Sequence, residues 1–439
     1  MHPALTWPYR SATALAELAA WLPLPGQGKL ARSLRQRRHP LRPFEDFARM
    51  RRDPARPLLW FHAPSVGEGL QAKPVIQLLR ERRPDVQLVY TFFSPSAEAM
   101  ARGLDADLAA YLPFDRPQNA VAMLDALRPT ALIYSKLDVW PMLTAAASAR
   151  GVRVGMISAT LSARSGRSGA LARALLHDAY AALDAVGAID PDDADRLVTL
   201  GVSRERIRLT GDTRYDQVAA RARARNLTSP LLAPLRSARP TLIAGSTWPA
   251  DEAVLLPAWR ALRVAVPEAR LIIAPHEPTE AHLAPIRRWA QASGFSLAHL
   301  DAAGPDDDVV LVDRVGVLGD LYALGTAAYV GGAFHAAGLH SVLEPASFAV
   351  PVLFGPRHHG FRDARLLYEA RGGEAVRDVP ELVRALRILF TEPDTRARAG
   401  DAALAVVREG VGAAERSYAL AAALLDPSFS AARAATTRS

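Results

Sequence analysis

The stretch from Leu58 to Glu68, which reads LLWFHAPSVGE, decides the fold. An apolar run of strand length meets a turn of small residues, and a helical pattern follows over residues 69–80. Glu68 is therefore expected where a strand of an α/β sheet ends, which is the edge of such a sheet that binds ligands. A carboxylate held there can act as a general base. The alternative is that Glu68 only complements the positive end of its helix.

Length and composition predict two domains. The chain has 439 residues, of which 50% are apolar, so it is too long for one ordinary domain and can fill two cores. The absence of cysteine excludes a disulfide framework, a thiolate metal site and a cysteine nucleophile. No run of eighteen apolar residues and no signal-peptide pattern is found, so neither a membrane span nor secretion is predicted.

The positive charge is concentrated at the start of the chain. The net charge is +8, and residues 1–60 hold eleven Lys or Arg against four Asp or Glu. This excess indicates an anionic surface, either phospholipid or nucleic acid, although a solvated Arg-rich segment is the alternative. The segment also predicts an amphipathic helix that lies in a membrane interface or packs on the protein's own core. Its apolar face comprises Ala14, Leu15, Leu18, Ala19, Trp21 and Leu22, and Lys29, Arg32, Arg35, Arg37 and Arg38 follow.

Apolar runs of strand length alternate with helical patterns along most of the chain. This alternation predicts an α/β protein with two Rossmann-like parallel-sheet domains that face each other across a cleft. The predicted organisation is an amphipathic basic segment over 1–50, a first Rossmann-like domain over 51–215, a linker over 216–240, a second Rossmann-like domain over 241–409, a C-terminal helix over 410–426 and a disordered tail over 427–439.

Two turns in the second half are predicted to bind phosphate. Gly245, Ser246 and Thr247 follow a buried strand and precede a helix, so their amides and hydroxyls can receive a phosphate at the positive helix end. Gly331 and Gly332 form a second turn of this kind. No lysine follows either turn as in a Walker motif, so each is weak alone and the pair is the better signal.

A carboxylate and two histidines follow the second turn. The sequence from His340 to Pro345 is HSVLEP, in which Ser341 and Glu344 have the spacing of a capping box. The alternative is that Glu344 accepts hydrogen bonds from the two hydroxyls of a nucleotide ribose. Further on, His358 and His359 are adjacent and point in different directions, so we assign no metal site.

A second carboxylate is predicted at the edge that holds Glu68. Asp138 follows the strand predicted over 131–134, so it should lie at the same edge of the sheet. One carboxylate would accept the proton of an attacking hydroxyl, and the other would orient the acceptor or stabilise positive charge. The alternative for Asp138 is a simple helix start. Ser65, Gly67 and Lys136 complete the predicted acceptor turn.

Taken together, these residues resemble the 3-deoxy-D-manno-octulosonic acid (Kdo) transferases, which move Kdo from CMP-Kdo to a lipid A precursor in lipopolysaccharide biosynthesis. The similarity runs from about Leu58 to Leu389, and the two-domain architecture is that of GT-B glycosyltransferases. The separated matches, which occur in the same order, are His62–Glu68, Phe93–Ser96, Tyr111–Asp115, Gly211–Asp216, Gly245–Thr247, Ala274–Glu277 and Gly331–Phe361.

The resemblance implies an inverting transfer that needs neither a metal nor a cofactor. Glu68 would be the base, and Asp138 would lie near the acceptor. The donor CMP-Kdo would be held by residues of the second domain together with a basic residue of the first: Arg214, Ser246, Thr247, His276, Gly331, Gly332, His340, Ser341 and Glu344. The implied partners are CMP-Kdo, a lipid A precursor and an anionic membrane surface, with no nucleic acid. The implied location is peripheral, on the cytoplasmic face of the inner membrane.

The chain departs from the family pattern at several of these positions. Before Trp140 the family commonly has Glu-Thr-Glu-Leu, whereas this chain has Lys136-Leu137-Asp138-Val139. Trp248 and Ser341 stand where His and Asn are common. The acceptor and the number of Kdo units therefore stay open. Two other functions also stay open: a GT-B glycosyltransferase or sugar-nucleotide epimerase that uses a UDP-sugar, and a protein that only binds membranes or nucleic acid.

Overall fold

A computed structural model describes residues 2–21, 28–162, 165–336 and 338–429. The chain forms two compact units, of which the first comprises Met1–Gln217 with Gly412–Ser439 and the second comprises Val218–Val411. Each unit holds a seven-stranded sheet whose paired strands are parallel, and helices alternate with the strands along the chain. The predicted fold class, α/β with two Rossmann-like parallel sheets, is confirmed.

The first unit is built on a sheet with the strand order β3-β2-β1-β4-β5-β6-β7. Its strands are β1 Leu58–His62, β2 Gln87–Phe92, β3 Leu108–Tyr111, β4 Ala131–Ser135, β5 Arg153–Ala159, β6 Ala185–Ala188 and β7 Ile207–Leu209. Its helices before the chain leaves the unit are α1 Pro3–Ala19, α2 Lys29–Arg35, α3 Arg42–Met50, α4 Val66–Arg82, α5 Glu98–Arg102, α6 Pro117–Leu127, α7 Pro141–Ala149, α8 Ala170–Ala181 and α9 Pro191–Thr199, followed by α10 Arg214–Arg223, in which the chain passes to the second unit.

The second unit has the order β10-β11-β9-β8-β12-β13-β14. Its strands are β8 Thr241–Thr247, β9 Arg270–Pro275, β10 Leu297–His299, β11 Val309–Leu311, β12 Ala327–Val330, β13 Val352–Phe354 and β14 Gly373–Ala375. Its helices are α11 Pro249–Ala265, α12 Glu280–Ala292, α13 Leu318–Leu321, α14 Leu343–Ala346, α15 Arg362–Glu369, α16 Val379–Thr391 and α17 Pro393–Gly410; α18 Ala413–Ala423 then lies in the first unit.

The central strands of both sheets are buried on both faces. Every residue of β1, β2 and β4 in the first unit is buried, and so is every residue of β9 and β12 in the second. This explains why these segments read as continuous apolar runs and not as an alternating pattern. The short edge strands β3, β10 and β14 are only partly buried, and the apolar runs did not predict them.

Each sheet has one position where the strand order reverses. In the first sheet β1 pairs with β4, and the chain proceeds outward from this pair in both directions. In the second sheet the corresponding pair is β8 and β12. Ligands of open α/β sheets bind at such switch points, beyond the carboxyl ends of the strands. Residues that follow β1, β4, β8 and β12 are therefore the candidates for function.

The C-terminal helix belongs to the first unit. The carboxylate of Asp216 accepts hydrogen bonds from the amides of Gly412 at 2.8 Å and Ala414 at 2.9 Å, at the start of α18. Arg82 of α4 donates two hydrogen bonds to Glu415, at 2.6 and 2.7 Å. The helix predicted over 410–426 is thus α18, Ala413–Ala423, and it packs in the first unit. In the predicted tail, residues 430–439 lie outside the described residues.

The segment predicted as a linker, residues 216–240, is part of the folded units. Its first residues are helical in α10, and Leu232 and Leu235 are buried in the core of the second unit. Leu227 and Leu231 pack against the same core. The linker prediction is therefore corrected. It relied on the prolines and arginines of this stretch and did not consider the leucines that anchor it to the core.

The N-terminal segment is likewise part of the first unit. Phe44 and Phe47 of α3 are buried in its core, and Tyr9 of α1 donates a 2.7 Å hydrogen bond to Asp115. Arg37 was predicted to face an anionic surface, but it is fully buried. Its guanidinium lies 3.8 Å from the centre of the Phe93 ring and donates to the carbonyls of Leu112 and Phe93.

Candidate active site

Glu68 lies in the first turn of α4, directly beyond the end of β1. Its side chain is half-buried and accepts a hydrogen bond from the hydroxyl of Ser65, the residue before the helix. Its carbonyl accepts a 2.8 Å hydrogen bond from the hydroxyl of Ser135 at the end of β4. The carboxylate is therefore fixed at the switch point of the first sheet. Its place in the first helical turn also fits complementation of the helix dipole, so both interpretations of Glu68 agree with the geometry.

Gly67, next to Glu68, is exposed and has open space around it. A Cβ atom placed there would meet no heavy atom within 4 Å, so packing does not require glycine at this position. Gly69 differs, because a Cβ there would collide with Met100 and with the hydroxyl of Tyr90. The surface at Gly67 is thus open beside the candidate base.

Lys136 directly follows β4 and has a left-handed conformation, with a φ of 72°. Its amide still donates a 2.9 Å hydrogen bond to the carbonyl of Ile157, so the strained backbone is held by the neighbouring strand. A non-glycine residue in this region costs on the order of 1 kcal/mol or more and is typical of functional sites. Ser246, near the end of β8 in the second sheet, has a φ of 54°. Both predicted site residues therefore sit at strained strand ends.

Asp138 follows Lys136 at the same edge of the sheet. It forms an ion pair with Arg167, and both side chains are about one-third exposed. The sequence did not predict Arg167, because it comes from a loop that has no strand or helix pattern of its own. Asp138 precedes α7 by three residues, and the α7 amides of Met142 and Leu143 donate to Asp115 instead. The helix-start interpretation of Asp138 is therefore wrong.

The predicted Gly245–Thr247 turn forms the last three residues of β8, at the switch point of the second sheet, with an irregular register between Gly245 and Thr247. Ser246 is half-buried, whereas Thr247 is buried and its hydroxyl donates a 2.9 Å hydrogen bond to Glu252. Burial raises the pKa of Glu252, and the hydrogen bond from Thr247 opposes this rise. The Thr247 hydroxyl thus already donates its hydrogen bond inside the protein. Contact of this hydroxyl with the donor stays a prediction.

Asp251 joins this turn to the Gly331-Gly332 turn. Its buried carboxylate accepts hydrogen bonds from the amides of Trp248 and Gly332 and from the hydroxyl of Tyr329, each at 2.9 Å. The amide of Gly331 donates to the carbonyl of Gly245 at 2.9 Å. Both glycine amides are therefore used internally, and the expectation that they receive a phosphate is corrected. The glycines are needed for another reason: a Cβ on Gly331 would collide with the Ser246 backbone, and one on Gly332 with Gly338.

The sequence analysis did not identify Asp251, although a signal was present. An acidic residue three positions after a helix start commonly returns a hydrogen bond to the backbone at that start. Asp251 does so for Trp248 and extends the same carboxylate to the neighbouring strand. Only the pairing of β8 with β12 brings Gly332 within its reach.

His276 and His340 lie at the same edge of the second sheet. The amide of His276 donates to the carbonyl of Thr247 at 2.9 Å, and the amide of His340 donates to that of Gly331 at 3.2 Å. Their ring centres are 4.5 Å apart, and both rings contact Trp248. Burial, together with His276, lowers the pKa of His340 to about 4. Two predicted donor-binding residues are thus brought together.

Glu344 is half-buried in α14 and has no capping role. The residue before this helix is Val342, and no side chain caps it, so the capping box predicted between Ser341 and Glu344 is wrong. Ser341 is exposed. Burial raises the pKa of Glu344. The charge of Asp320 adds to this rise, and the charge of Arg221 opposes it. Because Glu344 does not cap the helix, the alternative interpretation, in which its carboxylate accepts hydrogen bonds from ribose hydroxyls, stays a prediction.

Arg214 lies in the first unit, at the start of α10. Its guanidinium pairs with the buried carboxylate of Asp212, with separations of 2.6 and 2.8 Å. Asp212 also accepts a 3.1 Å hydrogen bond from the side chain of Gln71. Although Asp212 is buried, Arg214 and these hydrogen bonds hold its pKa below the usual range. Contact of Arg214 with a donor stays a prediction.

Among the side chains of residues 2–21, 28–162, 165–336 and 338–429, no three His, Asp or Glu residues form a cluster suited to a metal ion. The chemical groups at the two switch points are instead a carboxylate and an ion pair in the first unit, and imidazoles, a hydroxyl and a carboxylate in the second. Such groups can accept a proton from a nucleophile and donate hydrogen bonds to an anionic leaving group.

Comparison with solved structures supports the fold. UDP-GlcNAc 2-epimerase from Neisseria meningitidis, bound to UDP-GlcNAc, matches with a TM-score of 0.59 over 79% of this chain and 94% of its own, at 14% identity. The UDP-GlcNAc 2-epimerase from Methanocaldococcus jannaschii matches with a TM-score of 0.55 over 80% and 99%, at 12% identity. At these identities the similarity concerns the fold alone.

Comparison of sequences gives the family. The family model described as 3-deoxy-D-manno-octulosonic-acid transferase (kdotransferase) matches residues 41–217. The 3-deoxy-D-manno-octulosonic acid transferase of Bordetella pertussis is 31% identical over 82% of this chain and 85% of its own length. The enzyme of the same name from Haemophilus influenzae is 28% identical over the same shares. With its two parallel-sheet units and a carboxylate at the first switch point, this chain belongs to the 3-deoxy-D-manno-octulosonic acid transferase family of glycosyltransferases.

Proposed function

We propose that the protein transfers Kdo from CMP-Kdo to a lipid A precursor, with inversion at the anomeric carbon and without a metal ion. In this proposal the first unit binds the acceptor and the second binds the donor. The acceptor oxygen attacks the anomeric carbon while Glu68 takes its proton. The bond from that carbon to the phosphate oxygen breaks, and CMP leaves. Metal independence is proposed from the family resemblance.

The position of Glu68 is the observation that carries this proposal. It is a half-buried carboxylate that a hydroxyl and a strand end fix at the switch point of the first sheet. Gly67 leaves open space beside it for an acceptor, and Lys136 and the Asp138–Arg167 pair lie beyond the adjacent strand. Asp138 is proposed to orient the acceptor through this pair, since Arg167 restricts its side chain.

The donor is proposed to contact the edge formed by β8, β9 and β12. Ser246 is half-buried there, His276 and His340 offer ring nitrogens, and Glu344 can accept hydrogen bonds from ribose hydroxyls. The amides of Gly331 and Gly332 already donate hydrogen bonds inside the protein, to Gly245 and Asp251. These two glycines are therefore proposed to contribute by keeping the two turns close together. Arg214 and Ser341 are proposed to make polar contacts with the donor.

The decisive experiment is incubation with CMP-Kdo and a lipid A precursor, followed by mass analysis of the lipid product. One added Kdo mass per acceptor, or two, supports the proposal and gives the number of units transferred. Chelation with EDTA should leave the rate unchanged. Protection against thermal unfolding by CMP but not by UDP would exclude a UDP-sugar enzyme, and the reverse result would contradict the donor assignment.

We further propose that α1 attaches the protein to the cytoplasmic face of the inner membrane. Leu15, Leu18 and Trp21, all on the predicted apolar face, are 66%, 64% and 56% exposed. Trp7 on the same helix is 79% exposed. These values contradict packing of that face on the core for these residues, whereas Ala14 and Ala19 are half-buried and Leu22 lies outside the described residues. An exposed apolar face beside basic residues fits an anionic membrane interface.

The opposite side of α1 holds the helix on the first unit. Tyr9 donates to Asp115, and Glu17 pairs with Arg116 and accepts a 2.8 Å hydrogen bond from Asn119. None of the helices in the described ranges combines the length and apolarity of a membrane span. The proposed attachment is by α1, with its exposed apolar residues placed in the membrane interface.

Vesicle binding tests this attachment. The double variant Leu15→Glu, Leu18→Glu should lose about tenfold or more in affinity for vesicles of phosphatidylglycerol and phosphatidylethanolamine, because both burial and charge oppose insertion. The matched control is Val264→Glu, which adds a charge at an 84% exposed apolar residue of the second unit. Equal binding by the double variant and the control would contradict the role of α1.

A further inference from the structure

Trp248 is enclosed by three histidine rings at the proposed donor edge. Its indole stacks on His276, with ring centres 4.5 Å apart and planes inclined by 19°. The indole also stacks on His335, with ring centres 4.9 Å apart and planes inclined by 8°. These two contacts restrict its rotation.

The edge of the indole points at the third histidine. Trp248 Nε1 lies 3.2 Å from His340 Nε2 and donates a hydrogen bond to it. An indole N–H can only donate, so His340 Nε2 must be the acceptor in this contact. A neutral imidazole with an acceptor at Nε2 carries its proton on Nδ1. A protonated imidazole has N–H groups at both nitrogens and would lose the contact. The geometry therefore permits one form of His340 only.

The surroundings of His340 agree with a neutral ring. Burial and the neighbouring His276 lower the pKa of His340 to about 4. Two further titratable groups contact Trp248: His335, which stacks on the indole, and Asp251, which accepts hydrogen bonds from the Trp248 and Gly332 amides. Neutral His340 then has a single N–H group to offer, at Nδ1.

We propose that Trp248 is a positioning residue of the donor pocket, which fixes the tautomer of His340 so that Nδ1–H is the group offered to the donor. This inference rests on the proposed function, because it assumes that His340 faces the nucleotide-sugar. A neutral, oriented N–H donor can bind an oxygen of the donor without a change in protonation during binding. An imidazole at position 248 could donate or accept and would not force one tautomer, whereas an indole N–H can only donate.

The tautomer can be measured in the ligand-free protein. Long-range proton–nitrogen correlation spectra distinguish the two neutral tautomers and the imidazolium form of histidine, and His340→Gln assigns the His340 signals by their loss. We expect the Nδ1–H form from pH 8 down to about pH 5. In Trp248→Phe, which keeps a stacked ring but has no N–H, we expect a mixture of tautomers and titration about one pH unit higher.

Kinetics test the consequence for the donor. Trp248→Phe should raise the KM for CMP-Kdo about three- to tenfold and change kcat by less than about twofold, because it removes an interaction made in donor binding. The matched control is Trp289→Phe on α12 of the same unit, which packs against Phe295 and should match the wild type. Circular dichroism and thermal unfolding check that both variants fold.

The outcomes separate this inference from the proposed function. An Nε2–H tautomer or an ordinary titration near pH 6.5 for wild-type His340 would overturn the inference, and so would an unchanged KM in Trp248→Phe. The proposed function fails by a different observation, which is the absence of any Kdo transfer or CMP-Kdo binding by the wild-type enzyme.

Discussion

Asp251 accepts a hydrogen bond from the amide of Gly332 at 2.9 Å, across 81 residues of sequence. The same carboxylate accepts from the amide of Trp248 and the hydroxyl of Tyr329. One buried charge thus holds together the two turns at the switch point of the second sheet. Because the Gly332 amide and the Tyr329 hydroxyl are also buried, they have no water to replace this acceptor.

Replacement of Asp251 should weaken both folding and donor binding. Asp251→Ala leaves two amides and a hydroxyl without their acceptor, and we expect a loss of about 3–5 kcal/mol in the free energy of unfolding. Tyr329→Phe removes one of the three bonds and should cost about 1 kcal/mol. Urea unfolding and CMP titration measure the two effects. Equal stability of the two variants would show that the carboxylate does not organise the turns.

Substitution of Glu68 tests the proposed base. Glu68→Gln keeps the size of the side chain and the contact with Ser65 but cannot take a proton, so kcat should fall about 10²–10⁴-fold with little change in CMP affinity. Glu81→Gln, on the exposed surface of the same helix, is the control and should be fully active. Turnover by Glu68→Gln within tenfold of the wild type would remove Glu68 from this role.

The elements around this site could be predicted because they depend on local pattern. The apolar run from Leu58 and the small-residue turn after it identify β1 and the start of α4, and the rule for parallel sheets then places Glu68. The positions of Lys136 and Ser246 could be predicted in the same way. Their left-handed backbone conformation could not be predicted, because neither lysine nor serine favours it.

The parts that could not be predicted depend on contacts between distant segments. Arg37 occurs in a basic run that looks solvent-facing, yet it is buried against Phe93 and the carbonyl of Leu112. The helix α18 follows the second unit in sequence but packs in the first, where Asp216 caps it. Arg167 pairs with Asp138 from a loop that has no periodic pattern. Each partner is identifiable only after the chain has folded.

Gly67 and Gly69 offer a matched pair that separates function from folding. Gly67→Ala meets no atom within 4 Å and adds a better helix former to α4, so stability should stay equal or rise by about 0.5–1 kcal/mol. If the acceptor approaches the open surface at Gly67, its KM should nevertheless rise several-fold. Gly69→Ala collides with Met100 and Tyr90 and should lower the melting temperature. Unchanged acceptor kinetics in Gly67→Ala would place the acceptor elsewhere.

The raised pKa of Glu344 predicts a pH dependence of nucleotide binding. Burial is the main cause, Asp320 adds to it and Arg221 opposes it. Ribose hydroxyls donate to the ionised carboxylate, so CMP affinity should fall as the pH is lowered through this raised pKa, above the usual carboxyl range. Asp320→Asn removes the like charge and should move the fall to lower pH, whereas Glu344→Gln should bind CMP more weakly and without this pH dependence. Calorimetric titration from pH 5 to 8 measures all three proteins. Equal CMP affinity of Glu344→Gln and the wild type at pH 8 would show that this carboxylate does not contact the nucleotide.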